Sequence, residues 1–309
     1  MIKIYHKTIK DPQLKILPDF KVGSWIYVEN PSEQELDELA QRFNLELGHL
    51  KDAVDPHEVP RLEIEKGAVY IFRRAPHEEE GRVMTVPVLT VVGKDFVLTV
   101  SRQPLSFLQK FIKGEVKFNT TQKTKLVLQF FSEITASYNY YLTAIRRQVQ
   151  SIGLRLERIQ RITSGTVVQL VKFEEILNDF LAGLVPASAI LEKLVSGKVL
   201  PLHAEDHDLV EDLSLSTGQL IIQSRASLRT IVNYREAYST IMTNDLNRII
   251  KFLTALTIIL NVQMIITGLY GMNVSLPFSS SPLAFWGIVV FMLIISLVLL
   301  LVFFKNKWL

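Results

Sequence analysis

The chain has 309 residues, with 34 Lys and Arg against 31 Asp and Glu, and its formal net charge of +3 is too small to indicate a nucleic-acid partner. It contains no cysteine, which excludes disulfides, thiolate metal sites and thiol catalysis. Apolar residues make up 48% of the chain, and the excess over a typical soluble protein is concentrated near the C-terminal end.

Residues 1–121 predict a compact α/β domain in which helices cover a sheet. Ser32 and Glu35 have the spacing of a capping box and predict the start of a helix, and a short second helix is expected at 47–54. The glutamates Glu78, Glu79 and Glu80 are expected in a turn. Apolar alternation predicts strands at 1–9, 23–28, 61–65, 68–74, 83–92 and 95–100, with turns at 66–67, 80–81 and 93–94.

Residues 122–203 change to a helical period and predict the helical part of the same domain. We expect one helix from about 122 to Ile159, a break at 163–165, and two further helices at 168–184 and 186–195. Residues 204–251 contain one glycine and no proline and predict a stalk helix. Its apolar residues fall near a 3.5-residue spacing, which predicts packing against copies of itself or against neighbouring helices. They are Leu213, Leu220, Leu228, Ile231, Tyr238, Met242, Leu246, Ile249 and Leu253.

Residues 252–304 contain no Asp, Glu, Lys or Arg. Two apolar segments, 252–271 and 283–304, reach the ~20 residues that a helix needs to cross a bilayer. Basic residues flank both spans, whereas the connecting loop at 272–282 has no positive charge, so the positive-inside rule places both termini in the cytoplasm. We therefore expect a multi-pass protein of the inner or plasma membrane, with a first span continuous with the stalk and a basic cytoplasmic tail at 305–309.

The polar residues of the first span share one helical stripe, formed by Ile250, Thr254, Thr257, Asn261, Met264 and Gly268. An amide in mid-bilayer is costly unless it meets a partner or water, so Asn261 requires one of the two. Two interpretations stay open at this point: hydrogen bonding between helices, or a stripe that faces a water-filled lumen. Gln263, two residues from Asn261 and off the stripe, favours the first interpretation locally.

The turn Tyr270-Gly271-Met272-Asn273 resembles the signature of the CorA family of magnesium transporters, which ends the first of two C-terminal spans. Residues 247–254 at the entry to the span, the tail 305–309, and the segments 25–31 and 55–63 are also similar to family segments. The resemblance covers essentially the whole chain, and the order of these segments is more specific than any single motif.

The resemblance implies an α+β cytoplasmic domain of the αβα-sandwich type, a long stalk helix and two transmembrane helices, assembled as a funnel-shaped homopentamer in the lipid bilayer. The first span of each subunit would line the pore, to which Asn247 and Leu253 also contribute. Gly271, Met272 and Asn273 would form the selectivity filter. Because Mg²⁺ gives up its water reluctantly, a ring of neutral oxygens can hold the hydrated ion through its shell.

Three positions depart from the family pattern. Val262 stands where family members usually carry a proline, so the usual kink is not expected. Asn261 stands where an apolar constriction is common, so the usual gate is not expected at this position. The loop after Asn273 lacks the acidic residue that is often present, so attraction of cations to the mouth is expected to be weaker.

In the family, gating depends on divalent ions bound between soluble domains by acidic residues. The candidates here are Glu78, Glu79 and Glu80, and the cluster His203, Asp206, His207, Asp208, Glu211 and Asp212 at the start of the stalk. Their oxygens suit Mg²⁺, and the histidines would also accept Zn²⁺, Co²⁺ or Ni²⁺. The competing interpretation is that such acidic runs are solvated faces or helix N-termini stabilised by the dipole.

The sequence thus indicates a divalent-cation channel for passive Mg²⁺ uptake, with Co²⁺ or Ni²⁺ as further candidates. It shows no phosphate-loop pattern and no spacing typical of a Ser-His-acid arrangement, so we expect no enzyme. A Zn²⁺ transporter of the ZntB type is the nearer alternative. A membrane-anchored sensor or scaffold, whose spans only hold the domain at the surface, is an alternative from another class.

Overall fold

The computed structural model describes residues 1–157, 164–274, 277, 281 and 283–308. Four parts of the predictions fall outside this set. They are the predicted helix end at Ile159, the first residue of the predicted break at 163–165, most of the predicted loop at 272–282, and the last residue of the predicted tail. The strands are β1 (Ile2–His6), β2 (Lys15–Leu17), β3 (Ser24–Glu29), β4 (Leu62–Glu65), β5 (Ala68–Glu79), β6 (Arg82–Val92) and β7 (Phe96–Ser101). The helices are α1 (Glu33–Phe43), α2 (Leu47–Asp52), α3 (Ser106–Ile112), α4 (Lys123–Glu157), α5 (Ser164–Val195), α6 (Ala204–Tyr270) and α7 (Ala284–Lys305).

The chain divides into two compact units, Met1–Asn233 and Tyr234–Leu309, and the division falls inside α6. The first unit contains a seven-stranded sheet in the order β2-β1-β3-β7-β6-β5-β4. All neighbouring strands are antiparallel except β3 and β7. The predicted turns at 66–67 and 80–81 are confirmed as two-residue hairpin loops in which both residues have positive φ, the arrangement that matches strand twist.

Each face of the sheet is covered by helices. One face packs Ile26, Tyr70, Phe72 and Leu98 against α1 and α2. The other face carries the fully buried Trp25, whose neighbours on α3 and α4 include Phe111 and Phe130. These two aromatic and aliphatic cores make an α/β/α sandwich, as the sequence led us to expect.

The capping box of α1 forms as predicted, since Glu35 N donates to Ser32 Oγ while the Glu35 carboxylate accepts from Ser32 N. Other elements differ from the expectation. The sequence did not indicate β2 or α3. In addition, α5 is one helix rather than the two that we expected, and Pro186 lies inside it. Buried residues lie on both sides of this proline, including Leu184 and Leu191, so packing against the sheet outweighs the lost backbone hydrogen bond.

The stalk and the first span, which we expected to be continuous, form one 67-residue helix, α6. Within the first unit its buried side recurs at three- and four-residue intervals, from Val210 and Leu213 to Leu220 and Ile231. From Met242 to Leu253 the predicted apolar series is exposed. In the second unit the end of α6 and the whole of α7 are long and apolar enough to cross a membrane.

Candidate functional site

The two helices of the second unit pack through a defined face of α6. Its half-buried or buried residues are Ala255, Ile259, Val262, Gln263 and Ile266. Gln263 also joins the helices directly, because its Nε2 atom donates to the Met292 carbonyl oxygen at 3.0 Å and to Ser296 Oγ. The interhelical interpretation is therefore confirmed for Gln263.

The predicted polar stripe lies on the other side of α6. At about 100° per residue, Asn261 is about 160° and Gly268 about 140° from the direction of Gln263. Ile250, Thr254, Thr257, Asn261, Met264 and Gly268 are all exposed in the single chain. The packing of α6 on α7 thus leaves the whole stripe uncovered.

The predicted filter follows directly after α6. Gly271 N donates to the carbonyl oxygens of Thr267 at 3.0 Å and Gly268 at 3.2 Å, and a Cβ atom at Gly271 would lie only 3.3 Å from the first of these oxygens. A side chain at this position would therefore require a small shift of the last turn. Met272 and Asn273 are exposed beyond this last turn.

The three glutamates proposed for regulation do not all lie in a turn, which corrects the prediction. Glu78 and Glu79 belong to β5, opposite Val83 and Arg82, and only Glu80 lies in the turn. Residues 74–79 and 82–87 pair only with each other, so this part of the hairpin extends beyond the neighbouring strands as a two-stranded ribbon. The longer strand was missed because Pro76 is atypical of a strand interior.

Glu78 lines a 920 Å³ groove between the ribbon and the helices α4 and α5. Its carboxylate accepts a hydrogen bond of 3.4 Å from the Tyr141 hydroxyl. Burial, together with the nearby Glu78 charge, raises the pKa of Tyr141 above its ordinary value, which keeps this hydroxyl a donor.

The acidic cluster at the start of α6 separates into structural and exposed members. Asp206 is buried, and its carboxylate accepts a hydrogen bond of 3.1 Å from the backbone N–H of His203, the residue before α6. This contact satisfies a backbone donor at the start of the helix, which is a structural role. The exposed members are His203, His207, Asp208, Glu211 and Asp212. Within the parts of the chain that the structure describes, no three His, Asp or Glu side chains converge to hold a metal ion.

Sequence reasoning missed two features of these units. Ser296 is the only hydroxyl-bearing residue within α7, and its isolation in an apolar helix was the signal that could have identified it as a partner for Gln263. Arg73 is buried with its guanidinium 4.5 Å from the Phe131 ring centroid, inside what the sequence indicated only as an apolar strand.

Residues 20–305 match the family described as CorA-like Mg²⁺ transporter protein. The chain belongs to this family. The cobalt/magnesium transport protein CorA of Methanocaldococcus jannaschii is 26% identical over 295 residues, which cover 92% of this chain and 90% of that protein. A member of the CorA family is a divalent-cation transporter of the membrane rather than an enzyme, with a cytoplasmic N-terminal domain and two C-terminal spans.

Two solved structures share the fold. The complete CorA magnesium transporter of M. jannaschii has a TM-score of 0.85 at 23% identity and covers 100% of this chain and 99% of its own. The cytoplasmic domain of ZntB from Vibrio parahaemolyticus has a TM-score of 0.65 at 9% identity, covering 79% of this chain and 99% of its own. At these identities the likeness shows the CorA fold, which includes the sandwich domain, the long helix and the two apolar helices.

Proposed function

We propose that the chain is a subunit of a passive homopentameric channel that carries Mg²⁺ into the cytoplasm. The observation that carries the proposal is that the polar stripe lies on the side of α6 away from α7, with Asn261 about 160° from Gln263. A ring of such helices, with α7 outside, would turn Asn247, Ile250, Leu253 and the rest of the stripe toward a common axis. The name of the M. jannaschii relative, a cobalt/magnesium transport protein, supports Mg²⁺ with Co²⁺ as a second ion.

In this proposal Asn273 and the Gly271 carbonyl, repeated around the axis, form the outer ring that binds the hydrated cation. The loop has no carboxylate, so neutral dipoles rather than charge would select the ion. The membrane potential supplies about 2.3 kcal/mol per charge per 100 mV, or about 4.6 kcal/mol for a divalent ion. No covalent or metabolic coupling is required for inward movement.

The same proposal assigns the segments. Residues 1–203 form the cytoplasmic domain with its helical part at 122–203, residues 204–251 the stalk, 252–271 the pore helix, 272–282 the outer loop, 283–304 the second span and 305–309 the tail. Mg²⁺ bridging exposed acids of adjacent subunits, with Asp208 and Asp212 as the first candidates, would hold the stalks closed. When cytoplasmic Mg²⁺ falls, the acidic faces would repel each other and the pore would open.

The test is Mg²⁺ flux into liposomes under an imposed potential. We expect Asn273→Ala to reduce the initial rate at least about tenfold, equivalent to about 1.4 kcal/mol of barrier. Asn306→Ala, an exposed amide at the end of α7, is the matched control and should retain flux. Full flux in Asn273→Ala would refute the filter. Absence of Mg²⁺ flux in the unaltered chain would favour the sensor or scaffold interpretation.

Gating is tested separately on the acids. Asp208→Asn and Asp212→Asn, combined with Gln at Glu78, Glu79 and Glu80, should weaken inhibition of flux by Mg²⁺ on the cytoplasmic side. Unchanged inhibition would remove these residues from the gate while leaving the conduction proposal intact.

A Zn²⁺ transporter is the second candidate, because the exposed His203 and His207 are one helical turn apart and the ZntB domain shares the fold. Flux of Zn²⁺ against Mg²⁺, measured with and without a pH gradient, separates the two. Zn²⁺ flux that depends on the gradient, with no Mg²⁺ flux, would replace the magnesium proposal.

A further inference from the structure

The membrane hairpin contains a polar contact between its two helices that the conduction proposal does not use. The Gln263 amide nitrogen bonds both the Met292 carbonyl oxygen and Ser296 Oγ, and both side chains are half-buried between α6 and α7. These are the only hydrogen bonds between the described residues of the two helices. Ser296 is also the only Ser, Thr, Asn or Gln in α7. The contact therefore pairs one amide with the single hydroxyl available opposite it.

The pair of Gln263 and Ser296 is not expected to add stability to the hairpin. Gln263 Oε1 is buried and has no hydrogen-bond partner among the described residues. Burying an amide whose oxygen has no hydrogen-bond partner costs the free energy of desolvating that oxygen, and no new hydrogen bond offsets this cost. A leucine of similar size would therefore pack in this interface at least as favourably. What the amide adds is direction, because its two donors reach their acceptors at only one rotation and one register of the helices, as a single core Asn does in a coiled coil.

The rotation that Gln263 fixes is the one on which the stripe depends. Gln263 lies about 160° from Asn261 around α6, and it precedes Tyr270, the last residue of α6, by seven residues, or ~10.5 Å along the helix. Asn273 follows three residues after this helix end. A slip of α6 by one residue against α7 would turn the stripe by about 100°. The other α6 residues of the interface, such as Ala255 and Ile259, are apolar and impose no comparable direction.

We propose that Gln263 and Ser296 form a positioning pair that fixes the rotation of α6 on α7, and through it the direction in which Asn261 and Asn273 face. The pair thereby sets the discrimination between divalent cations. This inference rests on the proposed conduction function.

The flux test compares Gln263→Leu, Ser296→Ala and the exchanged pair Gln263→Ser with Ser296→Gln, all as full chains in liposomes. We expect Gln263→Leu to change the ratio of initial Mg²⁺ and Co²⁺ rates at least about threefold, with the melting temperature of the detergent-solubilised assembly unchanged or higher. Ser296→Ala should shift the ratio in the same direction by less, since the Met292 carbonyl remains. The exchanged pair should restore it. Thr267→Val is the control, because the Thr267 hydroxyl bonds only carbonyls of its own helix.

A second measurement is independent of flux. The chain has no cysteine, so Asn261→Cys supplies a single thiol whose labelling by a hydrophilic maleimide reports whether position 261 meets water. Labelling should fall at least about fivefold when Gln263→Leu is added, because the stripe then loses its fixed direction. Absence of cation flux in the unaltered chain would refute the proposed function. Normal flux with an unchanged ion ratio and unchanged labelling in Gln263→Leu, or a lower melting temperature that the exchanged pair fails to restore, would overturn this inference alone.

Discussion

Replacing Arg73 with methionine should stabilise the protein, which is unusual for a core substitution. The Arg73 side chain is 1% exposed, and none of its three guanidinium nitrogens has a hydrogen-bond partner among the described residues. Burial lowers the pKa of Arg73 to about 10, so the group stays cationic at neutral pH. Its compensation is the Phe131 ring at 4.5 Å.

The magnitude follows from two opposing contributions. A buried unpaired ion costs several kcal/mol, and the contact with Phe131 returns about 2 kcal/mol. Methionine has a similar length, fills the same space and removes both contributions, which leaves a gain of about 1–3 kcal/mol in the free energy of unfolding. For a unit of 233 residues this corresponds to an increase of about 2–12 °C in melting temperature.

Thermal unfolding followed by circular dichroism, with the full chain in detergent, provides the assay. Arg74→Met is the matched control, because the neighbouring guanidinium donates to Thr85 and to the carbonyl oxygens of Pro56 and Glu58. The control should lose stability while Arg73→Met gains it. A lower melting temperature in Arg73→Met would refute the reasoning, since it would mean that the buried cation is compensated by a bound anion or by water.

Two further changes test the stripe and the sandwich. Asn261→Leu should reduce Mg²⁺ flux at least about tenfold if the stripe faces a lumen, because a ring of leucines raises a dewetting barrier to a hydrated ion, whereas unchanged flux would place the stripe in lipid. Gly183→Ala should cost about 1–3 kcal/mol in denaturant unfolding, because its Cβ would meet the hydroxyl of the buried Tyr138. Gly218→Ala, in an open helical position, should instead gain up to about 1 kcal/mol, and equal effects at the two glycines would contradict the packing argument.

Features set by neighbouring residues were predictable from the sequence. The capping box at Ser32 and the two hairpin turns depend on residues two or three positions apart, and the membrane spans depend on a continuous run without charge. The sequence pattern also grouped the polar stripe of α6 correctly on one side of the helix. In each case the determining contacts lie within the same short segment.

Features decided by distant contacts were not predictable in this way. Pro76 and Pro186 indicate an end of their elements locally, yet pairing with β6 and packing on the sheet carry β5 and α5 through them. The alternation of β5 could not show that Arg73 faces a core. Likewise, the isolation of Ser296 in α7 marks it as a candidate partner for Gln263, but the helix register that brings the two together depends on packing between α6 and α7.

The ribbon of β5 and β6 couples the position of α5 to that of the turn at Glu80. A two-stranded ribbon is only marginally stable by itself. Here its middle is fastened to α5, since the Thr85 amide and hydroxyl both donate to the Asp179 carboxylate. A displacement of α5 would therefore move Glu80 at the end of the ribbon. An ion that bridges Glu80 to a neighbouring subunit would then be coupled to the position of α5 without contacting that helix.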